Sequence, residues 1–311
     1  MGSPAFFLGL RQHFGLGSRA ENRQHGTHMR RLPYYGWFGL FTILLSQAGM
    51  LARIEPFYHW HTPIAWTGFI LLADALVWKR RGNSWIRNNP AELLFMVCVS
   101  VPLWVVFEMY NKYSIRNWYY IGLPDLLLLR YFGYIWSFAT ITPAIFETAD
   151  LVSSVRHRRA PANRLDPVPR LPLGTAGWLA VIAGGVMVAV PIFVHSTYLA
   201  APVWLGFILL IDPLNARAGN ESILGDWSRG QLGRLVNLLL AGLICGVLWE
   251  FWNYWGGTKW IYNVPILPEI KIFEMPILGY GGFPPFAVEC FAMYVAVRCV
   301  LWRGAGRPVA V

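Results

Sequence analysis

Eight long, predominantly apolar stretches divide this chain, and its few charged residues fall between them. Charged residues make up 14% of the 311 positions, whereas a soluble domain usually carries about 25%. An apolar stretch of about 20 residues is long enough to cross a bilayer as a helix. The pattern predicts an all-α polytopic membrane protein and excludes a disordered chain, a disulfide scaffold and an ordinary soluble enzyme. The predicted spans are residues 35–52, 62–79, 91–110, 129–152, 175–195, 199–214, 231–254 and 277–302.

The positions of Lys and Arg predict how these spans are oriented. With the first segment in the cytoplasm, 20 of the 26 Lys and Arg residues fall in cytoplasmic segments, as the positive charge of cytoplasmic loops requires. We therefore expect both termini in the cytoplasm. No targeting peptide is visible, which favours a bacterial inner membrane. The same topology accounts for the net charge of +10, so we predict membrane lipids as partners and no nucleic acid.

The two halves of the chain resemble each other, which predicts an internal duplication. Gly68–Asp74 matches Gly206–Asp212, and Trp66 matches Trp204 in the same register. Further along, the register between the halves shifts slightly and then stays constant over six matching positions. They are Glu108 with Glu250, Asn111 with Asn253, Trp118 with Trp260, Tyr120 with Tyr262, Pro143 with Pro285, and Glu147 with Glu289.

Each unit has four spans, and an even number means that both units start on the same side of the membrane. The sequence therefore predicts two parallel four-helix repeats. The predicted division is a cytoplasmic tail over residues 1–31, a first repeat over 32–152 and a second repeat over 175–311. An Arg- and Pro-rich segment over 153–174 is the predicted cytoplasmic linker between the repeats. Pro disfavours helix, so we expect this segment to act as a hinge.

Carboxylates inside the predicted spans are candidates for chemistry, because ionisable groups in a bilayer are costly and usually functional. Glu289 is the most deeply placed, roughly 18 Å along the last span. A carboxyl group there is desolvated, which favours its neutral form and suits it to act as a general acid. Glu147 is its match in the first half. Asp74 and Asp212 lie near cytoplasmic helix ends, and we interpret them as structural.

Two Glu/Asn pairs are spaced three residues apart, so that each pair shares one helix face. Glu108 and Asn111 form the first pair, and Glu250 and Asn253 form the second. Both pairs lie at the outer ends of spans, and aromatic residues accompany them. We expect these groups to line one cavity between the halves, with Trp118, Tyr120, Trp252, Trp260 and Tyr262 as its aromatic walls. The alternative is that the aromatic residues anchor the protein at the interface and that each glutamate bonds a neighbouring Asn or Trp.

Histidines suggest a second, weaker constellation. His59 and His61 lie in the first predicted outer loop, and His195 lies in the corresponding loop of the second half. Together with the outer glutamates they have the chemistry to bind a metal ion, although three histidines on loops carry little specificity. No Gly-rich phosphate loop is present, and no cofactor is predicted.

The order Glu250, Trp260, Tyr262, Pro285 and Glu289 resembles the membrane lycopene cyclase domain family and is similar to the membrane carotenoid hydratases. The matching stretch, echoed between Glu108 and Glu147, covers about a quarter of the chain. The cyclase pattern has Pro-x-Glu-Glu after the Trp-x-Tyr, whereas this chain has Pro276-Ile-Leu-Gly at that distance.

The resemblance implies acid chemistry on a hydrophobic isoprenoid. Glu289 would protonate a terminal alkene, aromatic faces would stabilise the cation, and Glu250 or Asn253 would remove a proton or direct water. Trp260 and Tyr262 would line the cation pocket. Two other functions fit the same residues: a lipid or small-molecule transporter, and a non-catalytic subunit that binds pigment or lipid.

Overall fold

The computed structural model describes residues 30–157, 168–304 and 306–310. The predicted tail lies outside the described residues except for Arg30 and Arg31, and so does the central part of the predicted linker, residues 158–167.

Within the described residues, a long helix lies at each of the eight predicted spans. These helices are α1 (Tyr34–Leu51), α2 (Phe57–Arg81), α4 (Pro90–Tyr110), α5 (Leu127–Arg156), α6 (Thr175–Phe193), α7 (Ala200–Ala218), α9 (Gly233–Trp255) and α10 (Phe283–Leu301). Two short helices, α3 (Trp85–Asn88) and α8 (Ile223–Ser228), connect α2 to α4 and α7 to α9. Five of the long helices, namely α4, α6, α7, α9 and α10, are long and apolar enough to cross a membrane. The chain is therefore a predominantly helical membrane protein, as the apolar stretches predict.

Four helix boundaries differ from the prediction by four residues or more, among them the end of α7, which continues to Ala218. The α2 helix begins at Phe57, and α5 continues to Arg156, into the predicted linker. The last helix begins later than expected, because a 3₁₀ turn over Ile277–Gly282 precedes it. Proline in the first turn of α10 suits a helix start, since the missing N–H has no intrahelical partner there.

The described residues also contain short strands, which the all-α prediction did not include. Strand β1 (Trp118–Ile121) pairs with β2 (Lys259–Tyr262) in an antiparallel ribbon, and a second small ribbon joins β3 (Lys271–Ile272) to β4 (Met275–Pro276). In the first ribbon Trp118 lies opposite Tyr262, Tyr119 opposite Ile261, and Tyr120 opposite Trp260. This ribbon joins the two halves at one end of the helix bundle.

The helices pack in the same order in each half. The α1 helix packs on α2, α2 on α5 and α4 on α5; likewise α6 packs on α7, α7 on α10 and α9 on α10. Small residues permit close approach at equivalent places. A Cβ atom on Gly39 would lie 2.5 Å from the carbonyl oxygen of Gly68, and one on Gly184 would lie 2.7 Å from that of Gly206. Contacts between α5 and α9 hold the halves together.

Asp74 and Asp212 each bind the backbone of the short helix that follows them. Asp74 Oδ1 accepts the N–H of Ile86 at 2.9 Å. Asp212 accepts the N–H groups of Ile223 and Leu224, both at 2.8 Å. These bonds satisfy donors at a helix start that have no intrahelical partner, which agrees with a structural role.

Candidate functional site

A cavity of about 510 Å³ lies between the two halves of the molecule. Its volume falls within the range of about 300–1,000 Å³ that is common for small-molecule sites. Helices α2, α4, α5, α7, α9 and α10 and strands β1 and β2 all contribute to its walls. Six tryptophans line it: Trp66, Trp104, Trp118, Trp204, Trp249 and Trp260. We call these six residues together the tryptophan wall, and we call the site the tryptophan cavity.

The indole rings of this wall support one another. The ring centroids of Trp104 and Trp118 are 6.0 Å apart, those of Trp104 and Trp249 are 5.5 Å apart, and those of Trp249 and Trp260 are 5.3 Å apart. These separations fall within the about 4.5–7 Å range of favourable aromatic pairs. Because each ring is held by another ring, the wall is preorganised before any ligand enters.

A hydrogen-bonded chain lies behind the β2 part of the wall. Trp260 Nε1 donates to Tyr262 Oη at 2.7 Å, and Tyr262 Oη donates to Glu250 Oε1 at 2.6 Å. Tyr262 lines the cavity, whereas Glu250 is fully buried behind it. Burial and the neighbouring Glu250 raise the pKa of Tyr262 well above its usual range, so its phenol is neutral at pH 7. Glu250 Oε2 is buried without a hydrogen-bond partner in the described part of the chain.

The equivalent carboxyl group in the first half is bonded differently. Glu108 Oε1 accepts from Tyr120 Oη at 2.5 Å, from Trp104 Nε1 at 2.9 Å and from Trp118 Nε1 at 3.1 Å. All three donors meet a single carboxyl oxygen, Glu108 Oε1. Glu108 therefore fixes three aromatic side chains of the wall as an acceptor, whereas among the described residues Glu250 accepts from Tyr262.

Asn111 and Asn253 hold the strands rather than lining the cavity. Asn111 Nδ2 donates to Trp118 O at 2.8 Å and its Oδ1 accepts the Trp118 N–H at 3.1 Å. Asn253 makes the same two bonds with Trp260, at 2.8 and 2.9 Å. Each amide thus places one tryptophan of the wall.

Glu147 and Glu289, the two carboxylates deepest in the predicted spans, do not line the cavity. Both are buried, on α5 and α10 respectively, and among the described residues neither carboxyl group has a hydrogen-bond partner. The predicted acid, Glu289, is therefore not among the residues that line the tryptophan cavity, although Pro285 and Phe286, one helical turn before it, do line it. Of the four candidate glutamates, only Glu108 and Glu250 contact residues of that wall through hydrogen bonds.

The remaining predicted residues are spread over other positions. Trp252 packs edge-on against Trp66 at 4.8 Å, behind the wall. His59 and His61 lie in α2 rather than in a loop, because that helix begins earlier than predicted. His61 is buried with its Nδ1 2.8 Å from Ser46 Oγ, and His195 is exposed. Within the described ranges, no group of three or more His, Cys, Asp or Glu residues is placed to hold a metal ion.

Two tryptophans of the wall carry no signal in the internal repeat. In the register that aligns Glu108 with Glu250, Trp104 falls on Gly246 and Trp249 falls on Phe107. Trp66 and Trp204 do match between the halves. This match is the sequence feature that could have indicated that tryptophans within the long helices belong to the site.

The cavity reaches the surface of the protein on one side. Three of its lining residues are largely exposed: Tyr198 by 66%, Leu278 by 53% and Ile266 by 50%. The mouth formed by Tyr198, Ile266 and Leu278 is therefore mostly apolar.

A much smaller cavity, about 60 Å³, lies on the opposite face of the same wall. It shares Trp66, Trp104, Tyr120, Trp249 and Trp260 with the tryptophan cavity. Side chains of the first half, including Trp60 and Phe138, line it. The spacious site therefore belongs mainly to the second half.

No model of a known protein family, no curated protein and no solved structure matches this chain. The resemblance to the lycopene cyclase domain consequently stays a prediction.

Proposed function

We propose that this membrane protein binds a long, apolar isoprenoid of carotenoid type in the tryptophan cavity. The observation that carries the proposal is the wall of six tryptophans around about 510 Å³ between the halves. Flat indole faces suit a flat conjugated chain, and they also attract positive charge. Glu108 and Glu250 do not line the cavity. The geometry therefore favours recognition of an apolar ligand through aromatic contacts over recognition of a charged ligand.

The apolar mouth supports entry of the ligand from the bilayer. A polyene longer than the cavity would leave its remainder at the exposed side chains Tyr198, Ile266 and Leu278. An isoprenoid dissolved in lipid would meet this surface without crossing water, which suits an apolar ligand.

Purification in mild detergent, followed by an absorbance spectrum and mass spectrometry of the extracted lipids, tests the proposal directly. We expect a co-purified polyene or, after addition of the linear carotenoid lycopene, saturable quenching of tryptophan fluorescence. Trp104→Ala should weaken lycopene binding by up to about tenfold, because an aromatic contact contributes roughly 0.5–1.5 kcal/mol. Trp227→Phe is the matched control, since Trp227 is 67% exposed and does not line the cavity. Equal binding by both variants would contradict the proposal.

A second candidate function is acid chemistry on the bound isoprenoid, as in a cyclase or hydratase. The chain from Trp260 through Tyr262 to Glu250 favours it, because Tyr262 borders the cavity and Glu250 has an unpartnered buried oxygen that can carry a proton. Tyr262 would pass a proton to a terminal alkene carbon and regain one from Glu250. The cation would then lose a proton back to Glu250 or bond a water molecule that gives up its proton there.

Product analysis separates this enzyme from a binding protein. If protons pass from Glu250 through Tyr262 to the ligand, Glu250→Gln and Tyr262→Phe should abolish cyclised or hydrated product while lycopene still quenches tryptophan fluorescence. Glu289→Gln should leave turnover intact, since Glu289 does not line the cavity. Loss of product in Glu289→Gln alone would instead favour the assignment made from the sequence. Binding of lycopene without product would support a binding protein that is not an enzyme. Transfer of lycopene between vesicles would instead support the alternative function, a transporter.

We also propose that all eight long helices cross the membrane as two parallel four-helix repeats, with both termini in the cytoplasm. The β1–β2 ribbon supports the duplication. Tyr119 and Ile261 are equivalent in the register that aligns Trp118 with Trp260, and they lie opposite each other within the antiparallel pairing. A local two-fold axis through the middle of the ribbon relates two equivalent strands in this way. Parallel repeats require such an axis along the membrane normal.

A further inference from the structure

The segment that follows α10 folds back into the end of the bundle remote from the β1–β2 ribbon. Arg307, Val309 and Ala310 are each 0% exposed, although they lie beyond the last helix. A fully buried arginine is rare unless it is paired. Such complete burial implies that a specific groove receives residues 306–310.

Side chains of the groove bind the backbone of this segment. Glu92 accepts the Arg307 N–H at 2.8 Å and Glu221 accepts the Val309 N–H at 3.2 Å. The carbonyl groups are bound as well: Arg298 donates to Arg307 O at 3.0 Å, Arg234 to Val309 O at 3.0 Å and Asn237 to Ala310 O at 2.9 Å. Five backbone groups are thus bound by five side chains, which suits the capture of an extended peptide.

The side chain of Arg307 enters a pocket of its own. Its Nη2 donates to Asp150 Oδ2 at 2.8 Å, and its guanidinium carbon lies 4.6 Å from the ring centre of Trp85. Asp150 and Trp85 are both 0% exposed. A carboxylate combined with an aromatic face selects arginine over an uncharged residue.

The charges of the groove call for a cationic occupant. The groove residues that contact the segment include three carboxylates (Glu92, Asp150 and Glu221) and two arginines (Arg234 and Arg298). Their formal sum is one negative charge, and Arg307 adds a positive charge that pairs with Asp150 at 2.8 Å. An uncompensated charge at this burial would be costly, so the empty groove would demand either water or another basic segment.

We propose that this groove is a binding site for an arginine-containing peptide, and that residues 306–310 are its intramolecular ligand. The groove draws on both halves, since Glu92, Asp150 and Trp85 belong to the first and Glu221, Arg234, Asn237 and Arg298 belong to the second. The bound segment therefore clamps the halves together. Its contacts lie on helices that also wall the tryptophan cavity: Asp150 shares α5 with Ile145, and Asn237 shares α9 with Gly242.

Deletion of residues 305–311 with return of the segment in trans tests the site. We expect the shortened protein to have a lower thermal midpoint in detergent, and a synthetic peptide of residues 305–311 to restore the midpoint saturably. The same peptide with alanine in place of Arg307 should bind at least tenfold more weakly, measured by anisotropy of a labelled peptide. Unchanged stability on deletion together with no peptide binding would overturn the proposal.

Point variants of the full-length chain provide a second test if the shortened protein does not accumulate. Arg307→Ala should lower the thermal midpoint and, in combination with Asp150→Ala, should add little further, because the two side chains form one contact. Arg303→Ala is the matched control, since Arg303 is exposed four residues earlier. Equal midpoints for the Arg307 and Arg303 variants would contradict a specific arginine site, whatever ligand the tryptophan cavity holds.

Discussion

Single side chains at the site differ in function although they match between the halves. Glu108 Oε1 accepts from three donors, whereas among the described residues Glu250 accepts from the phenol of Tyr262. Glu250 Oε2 is buried without a hydrogen-bond partner in the described part of the chain. The two glutamates match in the proposed internal repeat, and their different neighbours make Glu108 an anchor for aromatic side chains and Glu250 a candidate proton carrier.

Removal of one amide should test the positioning role of the asparagines. Asn253→Ala leaves the backbone N–H and carbonyl of Trp260 without their partner, and we expect this to lower the free energy of unfolding by about 2 kcal/mol. Lycopene binding should weaken as well, because Trp260 belongs to the wall. Unfolding in SDS and fluorescence quenching are the measurements. Asn263→Ala, at an exposed nearby position, should change neither; a variant at Asn253 as stable as this control would refute the role.

Secondary structure elements were predictable where their signal is local. An apolar stretch is read from neighbouring residues, so each long helix lies where the sequence places one. The β1 strand has no such signal, because its partner β2 belongs to the other half of the chain and its stability comes from that distant pairing. The places of Trp104 and Trp249 in the wall were missed for the same reason: only packing between helices brings them together.

The register of β1 on β2 leads to a cross-linking prediction. Tyr119→Cys with Ile261→Cys places two thiols at directly opposed positions, where Cβ atoms lie about 4.5–5.5 Å apart and a disulfide is within reach. We expect a mild oxidant to join the halves, seen as co-migration after cleavage at a protease site inserted in residues 158–167. The background should lack the exposed Cys98 and Cys299. Tyr119→Cys with Lys259→Cys, a diagonal pair, is the control; equal cross-linking in both would contradict this register.

The first turns of α7 offer a test of lateral entry. Ala201 and Leu205 both line the cavity and are exposed, and Tyr198 of the mouth lies in the turn just before α7. A tryptophan at either position should therefore obstruct entry beside Tyr198. We expect Ala201→Trp to slow quenching by lycopene at least tenfold in lipid vesicles. Leu209→Trp adds bulk on an exposed part of the same helix that does not line the cavity, and it should bind at the normal rate. Similar rates in both variants would place the entrance elsewhere.

At the scale of the whole molecule, the two sites lie at opposite ends of the bundle. The tryptophan cavity lies at the end of the β1–β2 ribbon, and the ion-paired groove of Arg307 lies at the other. From the sequence, Arg234, Arg298 and Arg307 are cytoplasmic topology signals. The structure buries all three in the groove, because carboxylates from both halves surround them. Spacing along the chain does not reveal these partners, since Glu92 and Arg307 are 215 residues apart.

The orientation of the bundle in the membrane yields the last prediction. If all eight long helices cross, exposed positions along the chain must alternate between the two sides of the membrane. Single cysteines at Arg53, Arg116 and Lys271 should react with an impermeant maleimide added to intact cells. Cysteines at Arg31, Lys79 and Arg170 should react only after permeabilisation. All six positions are exposed on the protein, so a failure to react reflects sidedness rather than burial.

The three long helices that are not among the five found long and apolar enough to cross a membrane are α1, α2 and α5. Each of them is bracketed by two of these labels. Reaction of Arg31→Cys and Arg53→Cys on the same side would mean that α1 does not cross; the pairs 53 and 79, and 116 and 170, test α2 and α5 in the same way. Arg170→Cys carries the most weight. It separates the halves, and its inaccessibility from outside is required if the two repeats are parallel, because inverted repeats would place the start of the second unit on the opposite side.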